Sequence, residues 1–251
     1  MVNKKKPLPL VWTVMGIGLL FLGWELGSQL WGSDLIFPGP LLVLKQWLLL
    51  IQTKGFLEAL AYTFGRVMLG IIVSAPLSVG VGLIAGLDTR GAAFFRPFFA
   101  VIGATPVMSV ILIAFLILGS ERTPIFTAFL MVFPVMTANT VEGVHAVDPK
   151  LKELCKVYAL SWREQVQHLY IPAITPFILG GLQSALALCW KVVVAAEVLV
   201  QPLRALGTGM QRSKAQLETP ELFAWTLGTV IAAALSQCLL TLILKPRVKG
   251  V

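Results

Sequence analysis

Apolar residues run through this chain in long, nearly uninterrupted stretches, and charge is confined to the intervals between them. A helix needs roughly 20 predominantly apolar residues to cross a bilayer. Six stretches meet or approach that length: 10–31, 62–87, 94–118, 123–141, 173–200 and 224–244. Between the first two, the turn Phe37-Pro38-Gly39-Pro40 leads into LLVLKQWLLLI, which is too short to span and suits a helix lying at the interface. Pro97 and Pro106 interrupt the third stretch, and Pro134 lies inside the fourth. A proline in mid-membrane frees a backbone carbonyl, which is tolerable only against protein or a wet cavity. The motif ATPVMS therefore marks Thr105, Pro106, Met108 and Ser109 as a candidate pathway wall, with a packing kink as the alternative. Gly80, Gly82 and Gly86 supply small residues at a spacing that permits close helix contact. The pattern predicts an all-α polytopic membrane protein with six transmembrane helices.

Composition supports this class, because 57% hydrophobic and 13% charged residues depart far from the roughly 25% charge of a soluble globule. The Lys4-Lys5-Lys6 run is not followed by a small-residue cleavage site and a soluble domain, so it reads as a retained anchor flank. Net charge is +8, but the cations sit at the ends of apolar runs, as membrane topology requires, which argues against nucleic acid as a partner. With six spans, 12 of the 20 Lys and Arg residues fall on the side of the termini. That side is expected to be cytoplasmic. Cys155, Cys189 and Cys238 are far apart, and His145 and His168 lack ligand partners at metal-binding spacing, so no metal site is expected. The expected organisation is a first span with its interfacial segment over 1–55, a core over 56–244 and a tail over 245–251.

The longest polar interval, 148–172, reads as two short amphipathic helices. Asp148 can cap the first, with Pro149 at its first position, and Leu151, Leu154 and Tyr158 share one face. Ser161 with Glu164 forms a capping box that starts a second helix, which Pro172 is expected to stop. Those apolar faces need a cover. Two charges stand within the fifth span, Lys191 and Glu197. Lying about 28 Å of helix beyond Pro172, Lys191 is open to three readings: a cavity-facing cation that attracts an anion, a member of a structural or gating pair, or a side chain snorkelling to the interface. The two are six residues apart, on different helix faces, and are not expected to pair.

The polar interval resembles a family motif. Glu153-Leu154-Cys155, then Ala159, then Leu169-Tyr170-Ile171-Pro172 looks like the EAA loop (E-A-A-x-x-x-G, later I-x-L-P) of permease subunits from bacterial ABC importers. Leu154 and Cys155 replace the two alanines and Ala159 replaces the glycine, which removes conformational freedom at the joint. FPGP, TFGRVMLG, RPFFAVIGATPVMSVILI, GVHAVDPKL and CWKVVVAAEVL, in this order, are similar to the nitrate, sulfonate and taurine group of these permeases.

The resemblance implies a type I importer core of five helices, resembling the methionine-importer permease, plus an N-terminal helix in the cytoplasmic (inner) membrane. It implies that the loop over 143–172 seats a coupling helix in a separate ATPase, with Leu151, Glu153, Leu154, Cys155, Tyr158, Ala159 and Leu160 as coupling residues. It further implies a second permease copy, two ATPase subunits that bind ATP and Mg, and an extracytoplasmic solute-binding protein. Glu197 then takes a structural or gating position. The chain itself carries no G-x-x-x-x-G-K-[ST] run and no catalytic signature, so it is expected to bind no cofactor and to catalyse no reaction. A proton-coupled secondary transporter, the competing class, would need mid-membrane carboxylates and usually an internal repeat.

Overall fold

The computed structural model describes residues 10–248, so the Lys4-Lys5-Lys6 flank and Lys249 lie outside the described residues. The elements are α1 (Leu10–Trp31), α2 (Pro40–Leu50), α3 (Lys54–Leu87), α4 (Thr89–Ala104), α5 (Val107–His145), α6 (Pro149–Val157) and α7 (Trp162–Gln165). A π-helical turn (Val166–Tyr170) follows, then α8 (Ile171–Val200), α9 (Leu206–Ala215) and α10 (Thr219–Val248). Among the described residues, five helical runs are long and apolar enough to cross a membrane, and α2 is the short apolar helix expected after the FPGP turn.

The third expected span is built in two pieces. Thr105 leaves the helical region, as a residue before proline prefers, and its N–H and hydroxyl both donate to the Val101 carbonyl, closing α4. Pro97, by contrast, does not break α4. The 39-residue α5 contains Gly119 at φ 73, ψ 176, a conformation that only glycine adopts easily. A straight α5 would place Val107 about 39 Å from Phe133. Yet the Phe99 and Phe133 rings lie 5.7 Å apart, and the chain from Phe99 to Val107 reaches only about 20 Å. The chain therefore folds back at Gly119, between the third and fourth expected spans.

Contacts divide the chain into two compact units, Met1–Leu57 with Gly209–Thr229, and Glu58–Thr208 with Val230–Val251. Within the first, α1 is exposed along its length, as a helix surrounded by lipid would be. Trp24 and Phe37 both meet the Phe223 ring, and the Trp24 indole donates to the Pro38 carbonyl at 3.0 Å. Phe56 packs on Trp225, and Gly209 leaves room for the same indole.

In the second unit, α3 and the later half of α5 run parallel. Small residues every fourth position on α3, namely Gly70, Ser74, Ser78, Gly82 and Gly86, face α5. The Ser74 and Ser78 hydroxyls donate to the carbonyls of Phe129 and Phe133, each 55 residues further on. A Cβ at Gly82 would lie 2.5 Å from Thr140 Cβ, and one at Gly86 would lie 2.8 Å from Val144 Cβ. Gly80 faces open space and takes no part in this contact. Helix α8 runs antiparallel to both: Gly143 opens onto Ile174, Gly181 onto Asn139, and Gly70 onto Cys189.

Pro172 does not stop the second loop helix. Helical structure continues from Trp162 to Val200. The π turn closes with the Ile171 N–H donating to the Val166 carbonyl, so the hydrogen-bond ladder is already shifted by one residue where the proline, lacking an N–H, enters.

The packing of α3 on α5 separates two glycines that are alike in sequence. Gly82→Leu overpacks the contact and costs about 1–3 kcal/mol. Gly80→Leu is neutral. Fluorescence-detected size exclusion of detergent extracts after a heat step is expected to show loss of the monodisperse peak for the first variant only.

Candidate functional sites at the two ends of α8

Helix α6 begins as the sequence predicts, with the Asp148 carboxylate accepting from the Lys150 N–H at 2.9 Å and Pro149 in the first turn. It ends in a Schellman motif: the Leu160 N–H donates to the Cys155 carbonyl at 2.9 Å and the Ala159 N–H to that of Lys156 at 3.1 Å. The motif needs a left-handed residue, and Ala159 supplies it at φ 50. The bend that a glycine would make freely is thus kept by alanine, at a cost of about 1–2 kcal/mol. The capping box of Ser161 and Glu164 is formed in both directions, and the Gln165 amide donates to the Leu160 carbonyl at 2.8 Å.

The coupling residues named from the sequence separate into two sets. Cys155 is buried, and half-buried Leu160 packs with it against Val144, Val147, Leu169, Tyr170 and Ile174, where α5 and α8 meet. These two anchor α6 to the bundle and do not present an outward surface. Leu151 and Leu154 are each 47% exposed and Tyr158 is 72% exposed. Glu153 and Ala159 are exposed beside them, as are Val157 and Trp162. The helix therefore turns its apolar stripe away from its own fold. The hydrophobic effect favours burying such a surface, and the described chain offers nothing to bury it.

At the other end of α8, Glu197 is completely buried. Its carboxylate accepts from the Thr63 hydroxyl at 2.9 and 3.0 Å, from Arg66 Nη1 at 2.9 Å and from the Gly207 N–H at 3.2 Å. Arg66 is also buried and reaches three acceptors: Glu197, the Arg204 carbonyl at 2.9 Å and, through Nη2, Glu121. Glu121 in turn accepts from the Leu203 N–H at 3.0 Å, and Thr63 accepts from the Leu206 N–H at 3.0 Å. Gly207 is required here, since a Cβ would lie 2.6 Å from both Glu197 Cβ and Val198 N. The loop after α8 is thus folded back onto the helix end and tied to α3 and α5. Arg204 itself lies outside, over the Tyr62 ring, with its pKa raised by the Tyr62 hydroxyl and by Glu58. The interval between the fifth and sixth expected spans contains a helix, α9, that starts from this anchored segment.

Glu197 is therefore held in the interior by Thr63, Arg66 and Gly207. It pairs with Arg66, and Lys191 is exposed on α8 with no ion pair among the described residues. Pro106, Met108 and Ser109 are exposed at the α4–α5 break, and Thr105 is half-buried. None of them lines the cavity of about 860 Å³ between the α3 end, α4 and α5, which is walled by Ala85, Phe95, Phe99 and Pro134 and carries Arg96, Glu142 and His145. Sequence reasoning missed Thr63, Arg66 and Gly207 as one set. The available signal was Thr63 and Arg66 three residues apart on one helix face, ahead of an apolar run.

Breaking a buried ion pair from one side costs about 3–5 kcal/mol, because the other charge is stranded. Arg66→Met and Glu197→Gln are each expected to lower the unfolding midpoint of the detergent-purified protein sharply. Glu121→Gln, at a carboxylate that is 56% exposed, is expected to lower it far less. Thiol-reactive dye unfolding curves of the three variants check this order.

Residues 78–246 match the family model described as binding-protein-dependent transport system inner membrane component. A probable ABC transporter permease protein of Brucella melitensis is 28% identical over 214 residues, covering 83% of this chain and 87% of the relative. A Bacillus subtilis protein named for transport of aliphatic sulfonates is 27% identical, covering 66% of this chain and 61% of the relative. The nitrate import permease protein of a Synechocystis strain is 26% identical, covering 79% and 77%. The last two carry names from the nitrate and sulfonate group that the sequence motifs resemble. With two-thirds of its length under one family model and an outward-facing helix at the position of the EAA loop, this chain belongs to the inner-membrane permease components of binding-protein-dependent ABC transport systems.

Proposed function

We propose that this chain forms half of the membrane path of an ABC importer for a small anion, and that α6 is its contact with a separate ATPase. The single observation that carries the coupling role is the exposed stripe of Leu151, Leu154 and Tyr158 on a helix whose opposite side is anchored by Cys155. Anchor and stripe together make α6 a handle: force applied to the outer face reaches the bundle through packed side chains instead of being lost in a loose loop. From the joint at Ser161, helical structure runs without interruption to Val200, about 58 Å at helical rise. Motion at α6 would therefore be carried as a rigid rotation to the end where Glu197 holds the following loop.

In this assembly two copies of the chain pair, two ATPase subunits bind ATP and Mg, and an extracytoplasmic binding protein delivers the solute. Closure of the ATPases draws the two α6 handles together and turns the cores. The termini and α6 lie on the cytoplasmic side, in keeping with the Lys and Arg distribution. Support for an anionic solute comes from the relatives named for nitrate and sulfonate transport, whose cargoes share a compact, negatively charged, oxygen-rich surface.

Leu154→Asp places a charge in the docking stripe without touching the chain's own core. The variant is expected to reach the membrane at normal levels while losing binding-protein-stimulated ATP hydrolysis by at least tenfold. Cys155→Asp, by contrast, buries the charge inside the bundle and is expected to lower the protein level itself. Immunoblots of membranes and ATPase assays on the purified complex separate the two. Full ATPase stimulation in Leu154→Asp would remove the proposed contact.

A further inference from the structure

We infer that Lys191 is the anion-attracting residue of a water-filled path along one face of α8, an assignment that rests on the importer function proposed above. The exposed positions of α8 are Ile171, Pro176, Gly180, Ser184, Lys191, Ala195 and Leu199. From Pro176 to Ala195 they form one stripe of about 28 Å, the depth of the hydrocarbon layer, made of small or polar side chains. Faces of this chain that suit lipid look different. Exposed positions are Leu19, Leu20, Leu22 and Leu26 on α1, Leu112, Ile113, Leu116 and Ile117 on α5, and Leu235, Leu239, Leu242 and Ile243 on α10. Bulky apolar side chains dominate those faces, and the stripe from Pro176 to Ala195 carries none.

Its one charge has no ion pair among the described residues. Glu197, on the same helix, is turned to the interior and satisfied by Arg66, Thr63 and Gly207. Glu121 is held by Arg66 and the Leu203 N–H, and Glu58 pairs with Arg204. A lysine left facing hydrocarbon is costly, and the cost disappears if its face borders water. The neighbouring indole of Trp190 is buried and donates to Ser236 at 2.9 Å, and Cys189 and Val192 are also buried, so the helix cannot rotate to hide Lys191 without breaking that packing. A fixed cation with a bare, small-residue wall beneath it raises the local concentration of small anions and repels cations. This gives the path a charge preference that acts after the binding protein has released its cargo.

The test uses the assembled complex in membrane vesicles, with Cys238→Ser as background because Cys155 and Cys189 are buried. Ala195→Cys places a thiol one helical turn from Lys191, about 6 Å away. It is probed with an anionic reagent, 2-sulfonatoethyl methanethiosulfonate, and a cationic one, 2-(trimethylammonium)ethyl methanethiosulfonate. One unit charge at that distance in water changes each rate about threefold in opposite directions, so the ratio of anionic to cationic rates is expected to fall about tenfold on adding Lys191→Gln. Restoring the charge with Lys191→Arg restores the ratio. Ser184→Cys, on the same stripe, serves if Ala195→Cys does not assemble. Thiols at both positions that react with neither reagent would show a face packed on protein or lipid and overturn the inference. So would a reactive thiol whose ratio ignores Lys191→Gln. Stimulation of ATP hydrolysis by the binding protein in the same vesicles reports separately on the importer function.

Discussion

A carboxylate with no access to solvent is the constraint around which the three long core helices are arranged. Glu197 cannot be buried alone, and its four hydrogen bonds come from α3 and from the first turn of α9. Arg66, drawn in to neutralise it, carries enough donors to recruit Glu121 and a loop carbonyl as well. Helices α3, α5 and α8 are thereby set at a common level at one end. Along their length the approach of α3 to α5 depends on small residues at every fourth position, because interhelical contact in a membrane comes from close packing more than from any hydrophobic drive.

The opposite end is held differently. An apolar cluster of Val144, Val147, Leu169, Tyr170 and Ile174 receives Cys155 from α6, and no charge is buried there. An ion-pair clamp at one end and a greasy hinge seat at the other suit a unit that moves as one body. The clamp is directional and resists sliding, and the apolar seat packs α6 against the bundle. The Trp162–Val200 helical run joins the two, and its π turn passes Pro172 without a break. In the proposed importer, that continuity carries motion at α6 to the far end of the bundle.

Features encoded locally were legible in the sequence. The Asp148 cap with Pro149, the Ser161–Glu164 capping box, the short helix after FPGP and the break at Thr105-Pro106 all depend on residues within a turn or two of each other. Features that depend on neighbours in space were not. Nothing near Pro172 announces the π turn that lets the helix continue, and Ser74 and Ser78 look neutral until Gly70, Gly82 and Gly86 are seen to share their face. The EAA resemblance located α6 but could not tell Cys155, which turns inward, from Leu154, which turns outward. Arg66 and Glu197 are 131 positions apart, and only the fold makes them a pair.

In the proposed importer an ATPase subunit covers the outer stripe of α6. A photoreactive amino acid placed in turn at positions 151, 154 and 155, in cells that make the complete transporter, addresses this contact most directly. Irradiation is expected to join positions 151 and 154 to the ATPase as a defined higher-mass band, while position 155 yields only products within the permease. Equal cross-linking to the ATPase from 155, or its absence from 151 and 154 in a complex that still hydrolyses ATP, would contradict the account.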